Sequence, residues 1–286
     1  MIENSFDKHI KYYIEMPGTI SDSIGSVKID NKFILIPVEP ICSWSLMPYE
    51  KVSQPTFAEV VFYANCLAYE HELPTSIYSV NKKPFIKPII GNNSYIGRSY
   101  DIITQAYEFI NDIKFGFGNV VFRYSDSDKE VDIQYSIKYK KVARELSLYA
   151  TALRQLDPLS EFLCYYRIIE FITGDNGKNW IEANITRINN YNFGFLELRN
   201  INSLNSKRKT NLFSIYRRKA MIQINNINKK YPGKLTHYLY NQNRCGVAHG
   251  KDNIIEYDFN YNVTEISKDN YIMKLLSRLA IEDKIL

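Results

Sequence analysis

The second half of the chain repeats apolar residues at intervals of three and four, which is the pattern of amphipathic helices. One stripe runs through residues 141–156 and a second through residues 159–173. Asp157 and Pro158 between them are a typical N-cap and first-turn proline, and Gly174 is a typical helix stop. Further helices are predicted over 180–189, 212–231, 234–248 and 270–283.

The first half of the chain alternates apolar and polar residues over short stretches, which favours strands. Residues 27–37 are strand-like, with a turn at Asp30 and Asn31. The stretches 118–124 and 131–139 also alternate, so they are predicted to pair as a hairpin. Two other segments are 100–113, which fits a helix, and 57–73, which fits either a strand or a helix.

The change of pattern near residue 140 predicts an α+β chain of two domains. A mixed, β-rich domain is expected over 1–139 and an all-α helical bundle over 140–286. A chain of 286 residues is long enough for two domains of ordinary size. Its composition, with 45% apolar and 23% charged residues, is that of a globular protein and not of a disordered one.

The sequence carries few signals for membranes, metals or cofactors. No apolar run approaches the roughly 20 residues of a membrane span, and the start of the sequence does not resemble a secretory signal. The four cysteines are far apart and lack the spacing of a zinc site. We therefore expect a cytoplasmic protein with reduced thiols, no metal, no cofactor and no membrane partner.

The positive charge of the chain is concentrated in one segment. Twelve lysines and arginines lie between Arg199 and Lys251 with no aspartate or glutamate among them, although the whole chain has a net charge of only +5. Such a segment suits a polyanion such as RNA, and the alternative is a solvated surface that balances the acidic remainder of the chain. The residues predicted to bind RNA are Lys207, Arg208, Lys209, Arg217, Arg218, Lys219 and Lys251.

The same segment contains an arginine and a histidine five positions apart, Arg244 and His249, with Asn243 before them. A guanidinium can hold a phosphate and an imidazole can move a proton, so the pair suits chemistry at a phosphodiester. Gly250 is a typical helix-ending residue, and the negative end of a helix dipole favours the protonated imidazole. The alternative is a structural helix end in which both side chains serve packing.

An Arg-x4-His motif at a helix end, flanked by an asparagine and a glycine, resembles the signature of the HEPN superfamily. Residues 163–171, with the sequence LCYYRIIEF, resemble the first core helix of that superfamily, which often carries a polar or acidic residue facing the motif. Glu170 fills that position, although it can also pair with Arg167 on its own helix. Within the superfamily, residues 140–286 look most like the abortive-infection and methylamine-utilisation J-type proteins.

This resemblance implies a metal-independent endoribonuclease that forms a homodimer through its helical domain. His249 would then act as acid or base on a ribose 2′-OH, Arg244 would bind the scissile phosphate, and Asn243 would orient one of them. Cys245 stands where active members often have a polar residue, so Asn243 is the amide expected to compensate. Glu170 would face the motif, and the products would be a 2′,3′-cyclic phosphate and a 5′-OH.

The sequence leaves three classes of function open. The first is this ribonuclease, which family analogy alone assigns to anti-phage defence or a toxin-like system, with a phage-derived or protein trigger at the N-terminal domain. The second is a non-catalytic RNA- or nucleotide-binding module that dimerises through the helical half. The third is a regulatory scaffold whose basic face binds an acidic protein.

Overall fold

The chain divides into two compact units in a computed structural model. The residues described are 12–15, 19–21, 27–38, 43–48, 54–79, 119–122, 132–199, 210–240 and 259–286. The N-terminal unit consists of Met1–Ala143 and Glu197–Thr210, and the helical unit consists of Arg144–Leu196 and Asn211–Leu286. Helices dominate the described residues. The domain bounds expected at 139 and 140 stay a prediction.

Short strands pair mainly in antiparallel fashion. Their bounds are β1 (Tyr12–Glu15), β2 (Thr19–Ser21), β3 (Val27–Ile29), β4 (Phe33–Val38), β5 (Ser43–Pro48), β6 (Ser76–Ser79), β7 (Asn119–Phe122), β8 (Asp132–Ile133), β9 (Glu197–Arg199) and β10 (Thr210–Asn211). One set of neighbours runs in the order β6-β1-β5-β4-β3-β8, and β7 lies between β2 and β9. Because much of 1–139 lies outside the described residues, these strands do not establish a β-rich domain.

Segment 27–38 forms the expected strands and turn. β3 and β4 are antiparallel partners, with Ile29 opposite Phe33. The turn residues Asp30 and Asn31 have φ values of 54° and 52°, a left-handed conformation that Asn and Asp tolerate better than most residues. The prediction for this segment is confirmed.

The ambiguous stretch 57–73 forms a helix, α1 (Phe57–His71). Thr56 and Glu59 make a reciprocal capping box at its start, in which the Thr56 hydroxyl accepts the Glu59 N–H and the Glu59 carboxylate accepts the Thr56 N–H. Glu72 follows the helix in the left-handed conformation, with φ of 55°. These caps favour a helix where the apolar pattern alone allowed two answers.

The predicted hairpin of 118–124 with 131–139 is wrong. β7 in the first stretch pairs with β2 and β9, whereas β8 in the second stretch pairs in parallel with β3. The rest of the second stretch forms a short helix, α2 (Tyr135–Tyr139), whose two terminal tyrosines are buried one turn apart. The Asp30 carboxylate accepts the Ser136 N–H at its start. Because a spacing of four positions fits a helical turn as well as the alternation of a strand, the pattern of this stretch alone allowed both structures.

From residue 143 onward the described chain is mostly helical. The helices are α3 (Ala143–Arg154), α4 (Pro158–Thr173), α5 (Gly177–Asn184), α6 (Arg187–Asn190), α7 (Leu212–Lys230), α8 (Leu235–His237) and α9 (Phe259–Ile285). The helices predicted at 159–173 and 212–231 are confirmed to within one residue at each end. The helix predicted at 180–189 is two short helices, α5 and α6. The predicted helix 100–113 and most of 234–248 lie outside the described residues.

Capping residues fix both ends of α4. The Asp157 carboxylate accepts the N–H groups of Leu159 and Ser160 at 3.3 and 2.9 Å. Pro158 occupies the first turn, where its missing N–H costs nothing. Gly174 ends the helix with a φ of 63°. The sequence signals at the two ends of this helix are therefore confirmed.

The last helix, α9, forms the core of the helical unit. It is longer than the predicted 270–283, and it packs against α4 and α7. Every residue from 272 to 281 is buried, including the polar Lys274, Ser277 and Arg278. A helix that is buried all round is expected at the centre of a bundle. No helix in the described part of the chain is both long and apolar enough to cross a bilayer.

Removal of the α4 cap tests how much that helix end contributes to stability. Asp157→Ala removes the acceptor for two backbone N–H groups, so it should lower the free energy of unfolding by about 1 kcal/mol. Asp157→Asn keeps an amide oxygen as acceptor and should cost less. Urea unfolding followed by circular dichroism measures both differences, and equal losses for the two variants would contradict the capping role.

The same cap should make stability depend on pH. Partial burial raises the pKa of Asp157, but hydrogen bonds from the Ser160 hydroxyl and from backbone N–H groups outweigh it and hold the pKa below its usual value. A carboxylate whose pKa is lower in the folded than in the unfolded protein stabilises the fold. This contribution is fully present at pH values above the unfolded-state pKa of about 3.9, and it is lost as the pH falls through the folded-state pKa. Acidification through that range should therefore reduce the stability difference between the wild type and Asp157→Ala.

Candidate functional site

Several of the predicted site residues lie outside the part of the chain that the structure describes. They are Asn243, Arg244, His249, Lys251, Lys207, Arg208 and Lys209. The described residues of the candidate site are the segment 235–240, which leads into the motif, and the helix α4 with Glu170. Their contacts determine where the chain enters the Arg/His motif.

Tyr240, the last described residue before the motif, packs against α4. Its ring centroid lies 6.1 Å from that of Tyr166, with the two rings tilted by 53°. Tyr166 is buried, and the Lys178 ammonium of α5 lies 6.0 Å from the Tyr240 ring centroid. The segment that enters the motif is therefore held against the middle of α4 and the start of α5.

Glu170 lies one helical turn after Tyr166, so the two side chains project from the same face of α4. Gly177 approaches this face closely. A Cβ atom at Gly177 would lie 3.5 Å from the Tyr166 hydroxyl and 3.8 Å from Cγ of Glu170. Glu170 is half-buried. Glu170 therefore lies on the α4 face that receives the segment leading to the motif.

A buried aspartate of α9 also anchors this segment. The Tyr238 hydroxyl donates to Asp269 of α9 at 3.1 Å, and the Gln223 amide of α7 donates to the same carboxylate at 2.7 Å. Asp269 is fully buried, so both hydrogen bonds form away from water. Tyr231 stacks on Tyr238, with ring centroids 5.4 Å apart. Contacts to three helices thus fix residues 238 and 240.

The basic residues of α7 do not share one surface. Arg217 donates to the backbone carbonyl of Tyr191, and the Lys219 ammonium donates to the Tyr271 hydroxyl at 2.9 Å. Arg218 is exposed. Consecutive helical residues are about 100° apart, so these three cations point in different directions. Their assignment to RNA stays a prediction, with Arg218 the most accessible of the three.

Burial argues against the two described cysteines as nucleophiles. Cys66 is buried and Cys164 is half-buried, and neither forms a disulfide. Burial raises the pKa of both thiols, which disfavours the reactive thiolate. Among the described residues, no three His, Cys, Asp or Glu side chains are grouped closely enough to hold a metal ion.

Tyr240 and Asp269 are the site residues that the sequence analysis missed. A local signal existed for Asp269, because it precedes the apolar residues Ile272, Met273 and Leu276 at helical spacing and so lies on their buried side. Tyr240 carries no such signal, since its neighbours Tyr166 and Lys178 are distant in sequence.

Comparison with known families relates the helical unit to one of them. Residues 146–282 match the family model described as Methylamine utilization protein MauJ. The matched stretch contains Glu170 and the Arg244–His249 motif. This match agrees with the resemblance of residues 140–286 to the methylamine-utilisation J-type proteins that the sequence predicted. The wider HEPN relation stays a prediction. No curated protein and no solved structure matches the chain.

The Asp269 anchor can be tested by single substitutions. Asp269→Ala leaves the Gln223 and Tyr238 donors without their acceptor inside the core, so it should lower the free energy of unfolding by about 3 kcal/mol. Tyr238→Phe removes one hydrogen bond and should cost about 1 kcal/mol. Chemical denaturation measures both losses.

The matched control for this test is Tyr231→Phe. The Tyr231 hydroxyl makes no hydrogen bond within the described part of the chain, so its removal should change stability by less than about 0.5 kcal/mol. A loss from Tyr238→Phe no greater than that from Tyr231→Phe would contradict the anchor.

Proposed function

We propose that the chain is a metal-independent endoribonuclease that cleaves RNA in the helical unit and works as a homodimer. The observation that carries the proposal is the packing of Tyr240 against Tyr166, one turn before Glu170. A four-residue stretch of chain spans at most about 14 Å. Arg244 follows Tyr240 by four residues, so the chain length limits its Cα to within about 14 Å of the Cα of Tyr240.

The chemistry needs no cofactor because the RNA supplies its own nucleophile. His249 takes the proton of the ribose 2′-OH as the 2′-oxygen forms a bond to phosphorus. The bond from phosphorus to the 5′-oxygen breaks, and the proton held by His249 passes to that oxygen. Arg244 makes charge-assisted hydrogen bonds to the phosphate and stabilises the charge of the transition state. Asn243 and Glu170 orient these two groups. The products are a 2′,3′-cyclic phosphate and a 5′-OH, and DNA is not cut.

Two further facts support the proposal. The MauJ match over residues 146–282 covers both α4 and the motif, so the two parts of the proposed site fall within the stretch that matches one family model. The segment from Arg199 to Lys251 is basic throughout, which suits a polyanionic substrate. The wider role included in the proposal is anti-phage defence or a toxin-like system in the cytoplasm, with a phage-derived or protein trigger acting on the N-terminal unit.

Cleavage of labelled RNA by the purified full chain in EDTA tests this proposal. The wild type should release products ending in a 2′,3′-cyclic phosphate, and a DNA strand of the same sequence should stay intact. Arg244→Ala and His249→Ala should each lower the cleavage rate by at least about 100-fold, since each removes a group that acts on the reacting atoms.

The control for this experiment is another histidine of the same segment. His237 is exposed, so His237→Ala should cleave RNA at the wild-type rate. Salt-sensitive RNA binding without cleavage would contradict the nuclease and favour the non-catalytic binding module. Absence of RNA affinity at low salt would favour the scaffold. Cleavage that persists in both motif variants would contradict the assigned residues.

A further inference from the structure

An arginine of α3 lies over an exposed aromatic ring of α4. The Arg144 guanidinium carbon is 3.5 Å from the ring centroid of Phe171, and 43% of Phe171 is exposed. Arg167 lies one helical turn before Phe171 on the same face of α4, and its side chain is also exposed. Together, Arg144, Arg167 and Phe171 form what we call the arginine platform.

The charges of the arginine platform are not neutralised within the described part of the chain. Neither Arg144 nor Arg167 forms an ion pair with a described carboxylate. Arg187 behaves differently, because its two terminal nitrogens bind both carboxylate oxygens of Asp283 at 2.7 and 2.8 Å. The arginine platform therefore presents two guanidinium groups, unpaired by any described carboxylate, and one ring that is 43% exposed.

This arrangement matches the chemistry of an unpaired nucleotide. A guanidinium that lies on an aromatic ring leaves its outer face free, and a nucleobase can stack on that face. Its N–H edges then point sideways, where they can donate to a phosphate. An acidic peptide would use the two charges and leave the guanidinium face over the ring unused, so the arginine platform suits single-stranded RNA better.

We propose that Arg144, Arg167 and Phe171 bind single-stranded RNA, with one base stacked on Arg144 and neighbouring phosphates held by the two arginines. This inference rests on the proposed function for its substrate class, and it adds a binding site outside the basic segment between Arg199 and Lys251. Glu170 is the residue next to Phe171, about 100° around α4. RNA on the arginine platform is thus held one residue away from the proposed catalytic helix face.

Binding is measured on the full chain with a fluorescein-labelled 2′-O-methyl oligouridylate, which cannot be cleaved by 2′-oxygen attack. Anisotropy titrations over a series of salt concentrations give the affinity and its salt dependence. An abasic oligomer with the same backbone serves as a second probe, because it keeps the phosphates and lacks the bases.

Each variant should change a different part of the binding. Phe171→Ala should weaken oligouridylate binding roughly five-fold or more and leave binding of the abasic oligomer unchanged. Arg144→Ala and Arg167→Ala should each reduce the slope of log affinity against log salt by about 0.7. Arg144→Lys should keep the slope, because it keeps the charge, and should bind oligouridylate more weakly because it loses the planar stack.

Two matched controls use residues of the same type elsewhere in the helical unit. Arg187→Ala removes an arginine whose charge is already paired, and Phe195→Ala removes a ring that is 61% exposed and has no guanidinium on it within the described residues. Both should bind like the wild type. Circular dichroism confirms that every variant is folded before it is compared.

The outcomes separate this site from the proposed nuclease. If Arg144→Ala, Arg167→Ala and Phe171→Ala bind both probes as the two controls do, the arginine platform is overturned, whether or not the wild type cleaves RNA. If these variants lose binding as described while the wild type leaves unmodified RNA intact, the arginine platform stands and the nuclease fails. Equal losses on the abasic oligomer for Phe171→Ala would overturn the base stack.

Discussion

Burial of the last helix, α9, against α4 and α7 is the constraint on which the helical unit depends. Two of its buried polar residues, Asp269 and Asn270, make hydrogen bonds inside that core. The Asn270 amide donates to the carbonyl of Pro158 at 2.9 Å, and the carboxylate of Asp269 accepts hydrogen bonds from α7 and from Tyr238. Because a buried polar group without its partner costs about 1–3 kcal/mol, these contacts restrict the register of α9 against its neighbours.

This register determines where the chain goes after α8. The Tyr238 hydroxyl donates to Asp269 of α9, and the Tyr240 ring packs on Tyr166 of α4, so two residues two positions apart contact two different helices of the bundle. The next residues in the sequence lead to Arg244 and His249. The helix that bears Glu170 is thus also the helix on which Tyr240, the last described residue before the motif, rests.

Local sequence signals predicted where helices end better than they predicted which distant residues pack together. Asp157 and Gly174 mark the ends of α4 because capping involves atoms a few residues apart. The strand predicted over 131–139 was wrong because the tyrosine spacing there fits both a strand and a helix. Only the contact of Ser136 with Asp30 distinguishes the two structures. The place of Glu170 came from family resemblance. The packing of Tyr240 on Tyr166 required the fold, since no spacing in the sequence relates α4 to the residues after α8.

The most direct test of this account is a crystal structure of the full chain bound to a 2′-O-methyl RNA. The account predicts that the His249 imidazole lies within about 3 Å of a blocked 2′-oxygen, with Arg244 on the adjacent phosphate and Glu170 beside them. A structure in which Arg244 and His249 are packed in the protein interior, away from the bound strand, would contradict it.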